Sequence, residues 1–142
     1  LVDLDLHRPR QHQLFNLSQK KGVTSALLSE HLKPRAHLQK SVIPGLLVLT
    51  SGSLPPNPSE LLNTTRMKAL LAMLKEQADI VLIDSPPVTA LADAAILSTL
   101  SDGVLVVLDA KKTAEKQAKR TVQEAPLMYQ WRLRIEGVGS NQ

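Results

Sequence analysis

Residues 80–87 read Ile80-Val81-Leu82-Ile83-Asp84-Ser85-Pro86-Pro87: four aliphatics, then an acid, then a segment that cannot continue a strand. An uninterrupted aliphatic run of this length suits a strand buried on both faces, as in a parallel sheet. The prolines end the run, leave Asp84 at a strand terminus and fix the loop beside it. Residues 46–49 (Leu-Leu-Val-Leu) and 104–108 (Val-Leu-Val-Val-Leu) have the same character, and Leu1-Val2 looks like the end of a fourth such run. Helical patterns lie between them. Asn57-Pro58-Ser59-Glu60 offers an N-cap, Pro at the first helical position and Glu at the third, a capping box in outline. Behind it Leu61, Leu62, Met67, Leu70, Leu71 and Leu74 recur at helical spacing. Further helices are expected over 90–100 and 113–124, the latter with a basic face. Strands alternating with helices predict an α/β fold with a doubly wound parallel sheet.

Composition narrows the classes. The 142 residues make one domain or part of one. Only Phe15, Tyr129 and Trp131 are aromatic, so the core is aliphatic and base-stacking nucleic-acid readers are disfavoured. The absence of cysteine excludes disulfide scaffolds, Cys-ligated zinc and thiol chemistry. The net charge of +4 comes from basic residues scattered over several segments, so no nucleic-acid partner is expected. His7, His12, His31 and His37 lack the i, i+4 pairing of helical metal sites. Apolar runs stop at four or five residues, against the ~20 that span a bilayer. The chain opens on Leu-Val-Asp-Leu-Asp without Met, and the expectation is that it is cut from a longer one.

Chemistry concentrates in two places. In Leu1-Val2-Asp3-Leu4-Asp5-Leu6-His7-Arg8-Pro9 two carboxylates two residues apart point to the same side of a strand. At the C-terminal end of that strand they face the crevice where α/β sheets bind ligands. Solvated turn aspartates are the plainer reading of this pair alone. Asp84 at the end of its aliphatic run has the arrangement of a Walker B carboxylate, which holds Mg²⁺ directly or through water. Asp3, Asp5 and Asp84 on two strand ends repel one another unless a cation neutralises them. That is the physical case for a Mg²⁺–nucleotide site.

Together the two segments resemble the bacterial tyrosine kinases (BY-kinases), the cytoplasmic partners or fused domains of polysaccharide co-polymerases. Residues 1–9 look like the family's Walker A′ motif and residues 80–87 like its Walker B. The resemblance continues through Phe15-Asn16-Leu17, Lys21-Gly22-Val23-Thr24, the loop and helix start from Leu49 to Leu62, Asp93-Ala94, and Ser101 to Val107. It is strongest over 1–124 and weak over 125–142, and it implies a single partial kinase domain, P-loop NTPase-like and of the deviant-Walker type. It also implies an ATP-dependent, autophosphorylating tyrosine kinase of capsule and exopolysaccharide export, at the cytoplasmic face of the bacterial plasma membrane. Its partners would be further copies of itself, tyrosine-rich protein tails and a transmembrane polysaccharide co-polymerase. Asp3 and Asp5 would serve Mg²⁺ coordination and activation of the attacking tyrosine, Asp5 being the favoured base. Asp3 and Asp84 would hold the metal, and Arg8, Ser85 and Pro86 would neighbour the site.

The sequence also departs from the family. None of its six glycines starts a G-x-x-x-x-G-K-[ST] phosphate loop, so the first βα unit is expected to be lacking. His7 stands where the family has Arg, and the C-terminal tyrosine cluster is missing. Residues 135–141 only faintly echo the family's last strand, with Asn141 as its adenine contact. Two alternatives therefore stay open: a partition or cell-division ATPase, and a catalytically inactive fragment or interaction module.

Overall fold

A computed structural model describes residues 1–87 and 92–107. The chain divides into two compact units, Leu1–Leu97 and Ser98–Gln142. The first carries β1 (Val2–Asp3), α1 (Gln11–Leu14), α2 (Val23–Leu28), a 3-10 turn (Pro34–Ala36), β2 (Gln39–Lys40), β3 (Leu47–Val48), α3 (Pro58–Leu62), α4 (Thr65–Lys75), β4 (Ile83–Asp84) and the start of α5 (Asp93–Thr99). In the second, Ser101 Oγ donates to the Ser98 carbonyl at 3.1 Å. Leu105 and Val107 are exposed there, so the run at 104–107 is not buried on both faces among the described residues. Leu108, the helix expected over 113–124, Tyr129 and Asn141 lie outside them.

The architecture is mixed α/β with small sheets. β1 pairs β4 in parallel, with Val2 opposite Ile83 and Asp3 opposite Asp84. On its other side Val2 forms a parallel bridge with Leu49. Asp3 N donates to the Leu49 carbonyl at 2.9 Å and Leu49 N to the Leu1 carbonyl at 2.9 Å. β1 therefore lies between two parallel neighbours, each delivered by a helical connection. The run at 46–49 divides its residues: Leu47 and Val48 pair with β2 in an antiparallel hairpin, and Leu49 turns to β1. The run at 80–83 is also less buried than expected, with Ile80 and Leu82 exposed. Among the described residues β4 has a partner on one side only.

The helix expected from Asn57 onward is interrupted at Asn63-Thr64. Pro58 opens α3, but Asn57 caps nothing; its amide donates to the Glu60 carboxylate at 3.0 Å. Thr64 is extended and its Oγ1 accepts from Met67 N at 3.1 Å, so the chain restarts there as α4. α4 buries Met67, Leu70, Leu71 and Leu74, an i, i+3, i+4, i+7 stripe that packs on α2 and the 3-10 turn. Leu4, Leu6, Val23, Val48, Leu49 and Leu62 complete an aliphatic core.

Gly22 sets how closely α2 approaches the sheet. Val23 N and Thr24 N donate to the carbonyls of Thr50 and Ser51 at 2.8 and 3.0 Å. Thr24 Oγ1 adds a bond to the Ser51 carbonyl at 2.9 Å. A Cβ on Gly22 would lie 2.1 Å from the Thr50 oxygen and 2.3 Å from Gly52 N, both backbone atoms that cannot step aside. Gly22→Ala is expected to cost more than about 2 kcal/mol in chemical denaturation, the cost of overpacking against a rigid neighbour. A loss under about 0.5 kcal/mol would show that this junction yields easily.

Candidate functional site

The ends of β1 and β4 bring Asp3 and Asp84 side by side, as strand partners in register. Val2 N donates to the Leu82 carbonyl at 2.8 Å and Leu4 N to the Asp84 carbonyl at 2.9 Å, so both acids sit inside a closed ladder. Asp3 is fully buried. Its Oδ2 accepts from Gln11 N at 3.2 Å and its Oδ1 from Asp5 N at 3.3 Å. Burial pushes the Asp3 carboxyl up to about 6; the neighbouring charges of Asp84 and Asp5 add to the rise, and the two amides oppose it.

Asp5 lies past the strand, in a turn of its own making. Its Oδ1 accepts from His7 N at 3.1 Å and Arg8 N at 2.9 Å, which folds residues 5–8 into a compact loop. The two acids are thus linked along the chain, Asp5 N to Asp3 Oδ1, and the strand alternation assumed from their spacing stops at Asp3. Asp5 Oδ2 has no hydrogen-bond partner among the described residues. Arg8 is exposed, as is Ser85, whose Oγ donates to the Pro86 carbonyl at 3.3 Å; Pro86 is buried. Asn141 lies outside the described residues.

Two residues without a role in the sequence motifs organise these acids. Gln11 bridges them: its backbone N holds Asp3, and its Nε2 donates to Asp84 Oδ2 at 2.7 Å. Nothing in the spacing of Gln11 announces this, because the reversal through Pro9 and Arg10 brings it back. The second is Asp93, fully buried at the start of α5. Asp93 Oδ2 lies 2.8 Å from His7 Nε2, and Asp93 Oδ1 accepts from Ser59 Oγ. One carboxylate thereby ties the loop after β1, the start of α3 and α5 together. Asp93→Ala leaves both partners unpaired and is expected to cost about 1–3 kcal/mol in chemical denaturation. His7→Arg, which keeps a donor, should cost less than half as much; equal losses from the two variants would show that the pairing carries no weight.

The donor chemistry suits a hard divalent cation. Asp3 is buried beside Asp84 and Asp5, and among the described residues no cationic side chain pairs with any of the three. The amide donors named above temper their repulsion. No cluster of three or more ligating side chains is preassembled among the described residues, so Asp3 and Asp84 form the pair and Asp5 stands in its own turn.

The raised carboxyl sets a pH response. The ordinary value is 3.8 and the folded value about 6, so the folded chain holds this proton more tightly than the unfolded one. Asp3 therefore costs stability increasingly as pH climbs from 4 to 6, and fully above that, by about 3 kcal/mol on the linkage scale. Asp3→Asn is expected to raise the Tm at pH 7.5 by several degrees and to flatten the decline between pH 4 and 6. Thermal unfolding followed by circular dichroism checks this; a lower Tm at pH 7.5 would reject the buried-charge account.

No protein-family model matches the sequence. It is similar to the tyrosine-protein kinase YwqD of Bacillus subtilis, with 42% identity over 120 residues, covering 84% of this chain and 50% of the relative. It is 37% identical over 122 residues to the tyrosine-protein kinase ptk of Acinetobacter johnsonii, covering 86% of this chain and 16% of that one. Among solved structures, the kinase domain of Escherichia coli tyrosine kinase ETK superposes with a TM-score of 0.81 at 32% identity, covering 87% of this chain and 48% of the other. The chain thus spans half or less of each of these three proteins.

Proposed function

Because the chain belongs to the bacterial tyrosine kinase (BY-kinase) family and spans part of its kinase domain, we propose that it supplies the carboxylate half of an ATP-dependent tyrosine-phosphorylating site. The observation that carries this is the burial of Asp3 beside Asp84 at adjoining ends of parallel strands, without a compensating cation among the described residues. The sheet is a segment of a doubly wound parallel one; the β1–β4 pairing and the Leu49 bridge support that. The full 142 residues form a single partial kinase domain.

In this reading Asp3 and Asp84 hold Mg²⁺, and Gln11 keeps the two carboxylates at fixed separation from the chain reversal. Bound there, the ion neutralises charge on the transferring phosphoryl group. Asp5 uses Oδ2 to accept the tyrosine hydroxyl proton as that oxygen bonds to the γ-phosphorus and the bond to ADP breaks. Its Oδ1 is held by the amides of His7 and Arg8, which keeps the carboxylate aimed. In this reading the exposed Arg8 side chain meets phosphate oxygens, and Ser85 and Pro86 neighbour the pair along the chain. Asn141 is the proposed adenine contact. The 142 residues contain no G-x-x-x-x-G-K-[ST] loop, so the phosphate cradle comes from outside them and the chain by itself is not an active kinase.

By the family resemblance, the substrates are tyrosines on further copies of the same protein and on tyrosine-rich tails. The wider partner is a transmembrane polysaccharide co-polymerase of capsule or exopolysaccharide export, with the domain on the cytoplasmic side. The length of the Acinetobacter relative, of which this chain matches 16%, supports a kinase domain set within a larger protein. No described helix is long and apolar enough to cross a membrane. The relatives' names favour the kinase over the partition ATPase.

Three measurements test the proposal. Millimolar Mg²⁺ should shift the amide resonances of Asp3, Gln11 and Asp84, and Asp3→Asn should abolish those shifts. ATP should give no measurable heat with the 142-residue chain in calorimetry, where micromolar affinity would overturn the account of the missing cradle. In a chain that also carries a phosphate loop, Asp5→Asn should remove phosphotyrosine from a tyrosine-bearing peptide. Unchanged phosphorylation would reject Asp5 as base.

A further inference from the structure

The β2–β3 hairpin carries an apolar tip that its own turn does not need. Gln39 lies opposite Val48 and Lys40 opposite Leu47. The turn runs Ile43-Pro44-Gly45-Leu46: Leu46 N donates to the Ile43 carbonyl at 3.1 Å, and Gly45 has φ +79°. Pro at the second position and a left-handed Gly at the third make this a type II turn. Ser41 closes it further, accepting from Ile43 N at 3.0 Å through Oγ and donating its own N to the Leu46 carbonyl at 3.2 Å. Backbone geometry is therefore set by Pro44, Gly45 and Ser41. Yet Val42 is 88% exposed and Ile43 50% exposed, with Leu47 at 41% beside them. Three branched aliphatics project from a rigid loop into water.

Along the stretch of chain that carries this tip the charge has one sign. Residues 31–59 contain no acid, and Lys33, Arg35 and Lys40 in that stretch are all exposed. Lys33 and Arg35 sit at the 3-10 turn that runs directly into β2. Gln39 brings in two more cations from elsewhere in the chain. Its Nε2 donates to the carbonyls of Ser18 at 2.7 Å and Lys21 at 3.4 Å, while its Oε1 accepts from Ser18 N at 3.0 Å. Lys20 and Lys21, both exposed, are thereby anchored at the base of the hairpin. None of the five makes an ion pair among the described residues.

We propose that this hairpin docks the chain onto an anionic membrane surface, with Val42 and Ile43 entering the headgroup–acyl boundary and the surrounding cations meeting lipid phosphates. Each element answers one property of such a surface: aliphatic side chains partition into its apolar layer, and lysines near it gain about fivefold each in binding. A nucleic acid would use the cations but not an aliphatic tip, since stacking requires aromatic faces. An acidic peptide would likewise leave Val42 in water. The surface is separate from Asp3, Asp5 and Asp84, so the inference stands whether or not the site phosphorylates tyrosine.

Co-sedimentation of the 142-residue chain with vesicles tests this, using phosphatidylcholine alone and phosphatidylcholine with 30 mol% phosphatidylglycerol at about 0.1 M salt. Partitioning is expected to be at least tenfold stronger to the anionic vesicles. The double variant Val42→Ser with Ile43→Ser should lose at least tenfold, and Lys33→Glu with Lys40→Glu should lose the preference for anionic lipid. Circular dichroism and Tm serve as folding controls, both substitutions being on exposed positions. No binding, or equal binding of the wild-type chain to both vesicles, would overturn the proposal. So would an unchanged affinity of the serine double variant, which would mean that charge alone acts. Self-association in analytical ultracentrifugation that the serine variant abolishes would assign the tip to a second copy instead, and oligonucleotide binding sensitive to the same variant would assign it to nucleic acid.

Discussion

The parallel pairing of β1 with β4 is the constraint on which the rest depends, because it forces Asp3 and Asp84 to share one strand end. Like charges in register, one of them fully buried, raise the free energy of the folded chain. The surrounding structure tempers that cost with neutral donors. The amides of Asp5 and Gln11 point at Asp3, and the Gln11 side chain points at Asp84. What these donors do not supply is positive charge. Negative charge held together in a low-dielectric position, at some expense of stability, is the feature on which the proposed cation site rests.

A second layer holds that strand end in place. The turn of residues 5–8 is pinned by the Asp5 carboxylate, and its far side is pinned by His7 against Asp93. Asp93 also receives Ser59, so the loop after β1 cannot move independently of α3 or α5. Below it, Gly22 admits the start of α2 to within hydrogen-bonding distance of Thr50 and Ser51. The aliphatic stripe of α4 then closes the layer from the outside. Stability and site geometry are therefore not separate matters: the contacts that position the acids are also junctions between elements.

Much of this was legible in one dimension. The aliphatic run ending in Asp84 and the stripe from Met67 to Leu74 lie close along the chain, and the stripe obeys a period that the backbone imposes; the Asp3–Asp5 spacing marked the right segment, although the strand alternation read from it stops at Asp3. The reading of 57–74 as one helix failed at Asn63-Thr64, because a threonine hydroxyl that can cap is indistinguishable by composition from one that merely sits in a helix. The hairpin was missed for a related reason. Val42 and Ile43 belong to none of the runs or motifs read from the sequence, and the pairing of Gln39 with Val48 shows that the chain doubles back there.

The sequence by itself determined the mixed α/β class and the family and singled out the three carboxylates of the proposed site, since these rest on local periodicity and on motifs of contiguous residues. Tertiary structure alone decided which groups meet those carboxylates. Gln11, eight residues beyond Asp3 and 73 before Asp84, comes into place only through chain reversal and sheet pairing, as does Asp93, 86 beyond His7, which holds the loop beside them. Hydrogen bonds between side chains so distant in sequence leave no periodic trace. Burial, which turns Asp3 from an ordinary acid into a strongly perturbed one, is likewise a property of everything packed around it.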